Sequence, residues 1–482
     1  MHFPGLRAIF FLVTLKRSSL EGYRQFNAAP RTRYFSRVFL TAYIAASFWF
    51  LAAVPSLLPY NHPPEWGDGH DYDMIAFCLA RGDGFGYMWS DEEFRRPYAQ
   101  SDSVAHYKDL LSREGTFVST TYRPPFVPFA LAGIYRIFGR HFWIWRATTC
   151  LFTAAAVAIG AALMYRALGL GPCVLTFAWG VLDPYLLSYC PAYMTEAPAV
   201  FGLMLFMLCL NRWIETGRKR WVLLSGAVLG GLTLVRSVFA LWYVLAAVFV
   251  WGVNRWHFGE KSRARTAAVI AMFLAMAIVV PLPWWIRNCI VLDRMMPLGT
   301  QGHIALPSGY SDQAILARGE WSYFEKEIAA ELLRQRPDLR PWTLEFEREL
   351  AETDFAVALW WAVSHPHRIP QLAWLKAQSL WKPRIAYYGW LIPIAFCGCI
   401  AALRSSWAWP GLAFLGMHTM VVAATYSWGA RFLMILSPVL HFFAGLGAWA
   451  LFWWVRRQIV WMRARVLPAG SAQPVRSREP GN

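Results

Sequence analysis

Apolar runs recur along this chain, many of them reaching the ~20 residues that a helix needs to cross the ~30 Å hydrocarbon core of a bilayer. They fall near 39–58, 143–165, 172–190, 197–213, 221–237, 238–253, 267–286, 385–403, 408–425 and 433–455. Hydrophobic residues make up 57% of the 482 and charged residues only 16%, a balance that excludes an ordinary soluble domain. The predicted fold is an all-α polytopic membrane protein of about ten transmembrane helices. The net charge of +17 would suit a nucleic-acid partner, but the Lys and Arg residues cluster at span ends on alternate sides. That is the positive-inside pattern, so no nucleic acid is expected. The eight cysteines are scattered, mostly within apolar runs, and give no disulfide framework.

The basic flanks divide the chain. Residues 1–38 read as a cytoplasmic segment, with an interfacial helix over 8–15 rather than a signal peptide. Residues 39–286 hold a transmembrane core whose first outer loop is 59–142. Residues 287–383 read as an outer helical cap, with helical stretches near 311–335 and 343–364 broken by Pro337 and Pro341. Residues 384–455 carry the last spans, and 456–482 form a basic cytoplasmic tail, disordered from Pro468 by its composition. Both termini then lie inside. Interfacial helices are expected at Phe126–Phe138 and over 371–380.

The first outer loop opens with Trp66-Gly-Asp-Gly-His-Asp-Tyr-Asp73, which sets Asp68, Asp71 and Asp73 where a loop turns into a helix at the membrane edge. Helix N-termini favour negative charge, and glycines let a ligand approach the backbone. Such acids either cap the helix or serve as catalytic carboxylates. Glu196, in Tyr193-Met-Thr-Glu-Ala-Pro198, begins the fourth span in the same way. Arg236, Arg287 and Arg431 stand at outer span ends, and the prolines of Thr121-Tyr-Arg-Pro-Pro-Phe-Val-Pro128 bring Arg123 back to that level. Anchoring arginines belong mostly on the inside, so several on the outer side call for another role. Guanidinium groups bind phosphate bidentately. A substrate with a phosphate at headgroup level and an apolar tail, such as a polyprenyl-phosphate sugar, fits carboxylates and arginines gathered there. The arginines would stabilise charge on the departing phosphate while a carboxylate takes the acceptor's proton.

Six motifs in order carry a family resemblance. They are Asp68-Gly-His-Asp-Tyr72 with Ala76, Gly82 and Gly84 following, Tyr122-Arg-Pro-Pro-Phe126, and Thr195-Glu-Ala-Pro198. Then come Gly230-Gly-Leu-Thr-Leu-Val-Arg236, Pro283-Trp-Trp-Ile-Arg-Asn288 followed by Met296-Pro-Leu-Gly-Thr-Gln-Gly302, and Ala430-Arg-Phe-Leu-Met-Ile-Leu-Ser-Pro438. The chain resembles the GT-C membrane glycosyltransferases, in the bacterial branch similar to protein O-mannosyltransferases and the lipid A aminoarabinose transferase. In the last motif Met434 and Ile435 replace residues more usual there.

The resemblance implies a GT-C-like bundle with two long outer loops. It implies an inverting transfer of sugar from a polyprenyl-phosphate donor to an envelope glycan, lipid or protein at the outer face of the bacterial inner membrane. It makes Asp68 the base on the acceptor, with Asp71 its rival beside Tyr72. Glu196 becomes the second acid of the site, and Arg123 and Arg431 contact the donor phosphate. Arg236 and Arg287 are either further phosphate ligands or packing residues paired with carboxylates. Tyr72, Tyr122 and His303 line the substrate loops. No cofactor is expected; some relatives use a divalent metal, and the chain shows no metal-spaced cluster. The alternative function is a non-enzymatic transporter or flippase of lipid-linked sugars. That would call for ionisable residues in mid-membrane, of which Asp183 is the main one.

Overall fold

The computed structural model describes residues 28–57, 62–65, 67–101 and 104–466. The interfacial helix expected over 8–15, Trp66 and the tail from Pro468 lie outside them. Helices dominate. In chain order they are α1 (Ala28–Leu57), α2 (Gly67–Arg81), α3 (Glu92–Ala99), α4 (Lys108–Ser112), α5 (Phe126–Phe138), α6 (Phe142–Leu168), α7 (Leu170–Val181) and α8 (Pro184–Tyr189). Then follow α9 (Glu196–Thr216), α10 (Lys219–Val235), α11 (Trp242–Gly252), α12 (Arg263–Val279), α13 (Leu282–Leu292), α14 (Gln301–Ala305) and α15 (Asp312–Leu316). The last are α16 (Phe324–Gln335), α17 (Leu344–Ser364), α18 (Ile369–Trp381), α19 (Ala386–Ala402), α20 (Trp409–Ala424) and α21 (Ala430–Val466).

The chain is a multi-pass membrane protein. Among the described residues six helices are long and apolar enough to cross a bilayer, or eight if each of two bent pairs makes one span. That is fewer than the ten expected, for local reasons. The run 172–190 breaks where the Asp183 side chain accepts the amides of Tyr185 and Leu186 and Pro184 starts a new helix, so α7 and α8 are both short. The run 221–237 yields only the 17 residues of α10. The run 267–286 bends by 50° between α12 and α13 at Val280-Pro281. Helices α18 and α19 meet at 107°, so α18 turns away from the direction of the span that follows it.

Glycines bring the bundle together. Gly398 of α19 lies against the Phe443 carbonyl of α21, and Gly447 of α21 against the Ile394 carbonyl of α19, with no room for a methyl group on either. Helices α1 and α6, α10 and α12, and α7 and α21 form further close pairs around a continuous apolar core.

The first loop is anchored by the third acid of its opening motif. Asp73 is fully buried; it accepts the Tyr98 and Tyr135 hydroxyls, each at 2.6 Å, and pairs with Arg140. It thereby ties α2 to α3 and α5. A two-residue strand pair, β1 (Gly86–Tyr87) antiparallel to β2 (Val118–Ser119), closes the loop on itself.

The segment expected as a cap, 287–383, carries the helices α14 to α18. Here α17 packs on α14 and α16. Asp354, buried in α17, has no partner for either carboxyl oxygen among the described residues. Burial, and after it the charge of Glu325, pushes its carboxyl up to about 8. Such a group favours the fold below its ordinary value of 3.8, and that contribution is lost as pH rises through the folded value. Thermal stability should therefore fall between about pH 5 and pH 8. Asp354→Asn should flatten that slope, with a gain near pH 8 of about 1–3 kcal/mol. Melting curves across that pH range check this; an unchanged slope in the variant would mean Asp354 is not the titrating group.

Candidate active site

Five chain segments bring charged ends together. Asp68 and Asp71 lie three residues apart in the first turns of α2 and so share one face, while Asp73 points to the other side. Both face Arg123, whose loop is turned by Pro124 and Pro125. The Arg123 guanidinium donates to Asp68 at 2.8 Å and to Asp71 at 2.6 and 2.9 Å. It is stacked on the rings of Tyr122 and Tyr72, at 4.5 and 5.5 Å. From the start of α21, Arg431 donates to the second Asp68 oxygen at 2.7 Å and pairs with Glu196 at the start of α9. Arg236, just beyond α10, donates to the same Glu196 oxygen at 2.9 Å and to the Thr195 hydroxyl at 3.2 Å. A continuous chain of ion pairs runs from Asp71 through Arg123, Asp68 and Arg431 to Glu196 and Arg236.

The three carboxylates are not equivalent. The Asp68 side chain is 25% exposed, Asp71 9% and Glu196 0%. Of the three, only Asp68 lines the adjoining cleft, an open space of ≈ 670 Å³ that Arg123, Arg236, Arg431, Tyr72 and Tyr122 also line. Burial pushes the Asp68 carboxyl up, but the Arg123 and Arg431 guanidiniums more than reverse this and hold it well below the usual carboxylate range. Held by both guanidiniums, Asp68 is ionised and a poor proton acceptor. Glu196 stands behind Arg236 and Arg431, and its second oxygen is buried with no partner among the described residues.

Two expected residues lie elsewhere. Arg287 does not line the cleft. It donates to the Thr120 carbonyl at 2.6 Å and the Phe85 carbonyl at 3.2 Å, and packs on the Trp284 ring. There it braces the strand pair of the first loop. His303 stacks on Phe355 within the cap, although its helix neighbours Gln301 and Ala305 do reach the cleft. Among the described residues no three His, Cys, Asp or Glu side chains group as a metal ion would require.

Other residues support the site without a motif to announce them. Glu347 of α17 accepts the hydroxyls of Thr120, Thr121 and Thr300 and the Thr121 amide, at 2.6–3.0 Å. It thereby fixes the loop that presents Tyr122 and Arg123. Arg113 is sandwiched between the Trp89 ring of the first loop and the Trp342 ring of the cap, at 4.7 and 4.3 Å, and faces Asp71 at 3.5 Å.

Residues 122–285 match the family model described as dolichyl-phosphate-mannose-protein mannosyltransferase. The match covers about a third of the chain, and over that stretch the protein is similar to these membrane transferases. It includes Arg123, Glu196 and Arg236; Asp68 and Arg431 fall outside it. A crystal structure of ArnT from Cupriavidus metallidurans bound to undecaprenyl phosphate aligns with 88% of this chain and 79% of that one. The identity is 14% and the TM-score 0.39, a likeness too distant to decide anything about the site. No curated protein matches the sequence.

Proposed function

We propose that the protein transfers a sugar from a polyprenyl-phosphate donor to an envelope glycan, lipid or protein, with inversion, at the outer face of the bacterial inner membrane. The observation that carries this reading is that Asp68, the one carboxylate of the cluster on the cleft wall, is held by two arginines on that same wall. A donor phosphate is the natural competitor for Arg123 and Arg431. As it takes their guanidiniums, Asp68 loses the charges that depress its pKa and becomes a better base. Donor binding thus prepares the acid–base step.

Asp68 then removes the acceptor hydroxyl's proton. The acceptor oxygen attacks the anomeric carbon from the face opposite the phosphate. The bond from that carbon to the phosphate oxygen breaks, and the lipid phosphate leaves with the electron pair, its charge stabilised by Arg123 and Arg431. Glu196 and Arg236 keep Arg431 in place. The basic flanks support an inside location for both termini, and so an outer location for the site.

A transporter would need ionisable groups free to exchange partners within the bundle. Asp183, the main candidate, has both oxygens engaged, by the Tyr185 and Leu186 amides and by Tyr388 and His441. It caps a helix and ties α8 to α19 and α21. Membranes carrying the protein, supplied with a synthetic undecaprenyl-phosphate-linked sugar and an envelope extract, should release undecaprenyl phosphate as sugar appears on an acceptor. A deletion strain should lose that sugar from its envelope by mass analysis. Translocation of the donor with its sugar–phosphate bond intact would overturn the reading in favour of a flippase.

A further inference from the structure

The cleft has a second wall, built from aromatic rings rather than charge. Trp321, Tyr426, Trp428 and Phe432 line it beside the arginines of the charged cluster. The Trp321 ring lies 5.0 Å from Tyr426 and 5.0 Å from Trp428, and Tyr426 packs on Phe432 at 5.5 Å. Trp428 in turn lies beneath the Arg431 guanidinium at 5.8 Å. Trp321 belongs to the cap, and the other three rings to the stretch around the start of α21.

These two parts of the chain are tied firmly together. Glu320 and Ser427 form a parallel bridge, and Glu320 pairs with Arg384 at 2.7 Å. The Tyr310 hydroxyl donates to the Ala424 carbonyl, and the buried Lys376 ammonium to the Thr425 carbonyl, both at 2.7 Å. Gly309 packs directly on the Thr425 carbonyl, and the Ser379 and Ser427 hydroxyls meet at 3.1 Å. The rings are therefore fixed in place before any ligand arrives, which lowers the ordering cost of binding.

Resting on the function proposed above, we infer that this aromatic wall is the subsite for the transferred sugar, with a pyranose ring seated on Trp321 and Trp428. The ring attached to a phosphate held by Arg431 extends to the neighbouring surface, and Trp428 is that surface. A pyranose presents a face of C–H bonds to an aromatic ring while its hydroxyls stay at the edge. Half-buried rings beside polar groups suit that amphipathic shape. The Trp321 indole N–H is covered yet has no acceptor among the described residues, and a buried indole N–H ordinarily finds one.

The test measures binding to the full-length protein in nanodiscs, without acceptor. The probes are undecaprenyl phosphate alone and undecaprenyl phosphate bearing mannose, glucose, galactose or aminoarabinose. The wild type should bind at least one sugar-bearing lipid more tightly than the bare phosphate. Trp321→Ala should weaken that lipid by about tenfold and leave the bare phosphate within about twofold, while Trp321→Phe keeps most of the difference. Unchanged binding of bare phosphate also shows that the variants are folded. The proposal is overturned if no sugar in the panel adds affinity in the wild type, or if Trp321→Ala leaves the sugar's contribution intact. It is also overturned if that variant weakens every probe alike. Failure of the wild type to bind bare undecaprenyl phosphate would instead sink the reading of the arginine cluster.

Discussion

Asp68→Asn should lower sugar transfer by about 10²–10⁴-fold, the usual contribution of a positioned general base, while the protein still inserts and folds. The carboxamide is close to isosteric with the carboxylate. It can still accept from one of the two guanidiniums that Asp68 engages at 2.8 and 2.7 Å, so the arrangement of Arg123 and Arg431 survives. What it cannot do is take a proton. Transfer measured with saturating donor isolates the chemical step from binding. Asp71→Asn is the matching control, since Asp71 holds Arg123 from behind and does not line the cleft. Wild-type transfer in the Asp68 variant would remove the base from the scheme. Loss in the Asp71 variant alone would move it there.

Arg431→Ala should have an effect of a different kind, on both stability and catalysis. Arg431 is the common partner of Asp68 and the fully buried Glu196, and Glu196 already has one oxygen without a partner among the described residues. Removing one member of a buried pair typically costs about 3–5 kcal/mol, because the other charge is left uncompensated. Arg236 remains beside Glu196 and reduces the cost toward the lower end. Donor binding should fall with the lost phosphate contact. The double variant Arg431→Met with Glu196→Gln separates the two effects, since it removes the stranded charge along with the guanidinium. Its melting temperature should recover most of the loss and its transfer should not. If transfer returns with stability, Arg431 is a structural residue and the phosphate is held elsewhere.

Much of the charged cluster could be read from the chain because helix ends declare themselves locally. An acid at a helix start, an arginine at a span end and a Pro-Pro turn are local signals, and Asp68, Arg123, Glu196, Arg236 and Arg431 do meet in one cluster. The same logic could not separate Arg287 from Arg236. Both end spans on that side, and only the partner tells them apart: carbonyl oxygens for Arg287, Glu196 for Arg236. Nor could it rank the three carboxylates of the opening motif, whose different fates follow from which face of α2 each occupies. The supports were out of reach. Glu347 acts on threonines more than two hundred positions away, and the Arg113 sandwich needs a tryptophan from each loop. Hydropathy windows also read across the break at Leu182-Asp-Pro184, where Asp183 caps the helix that follows.

The ties between 309–320 and 424–427 bear on how such a protein could acquire new specificity. Because the cap is stitched to the stretch just before Arg431, exchanging the cap for that of a relative would disturb the approach to the phosphate as well. A hybrid enzyme would have to carry both segments from one parent, and changes within the two should accumulate together over the lineage's history.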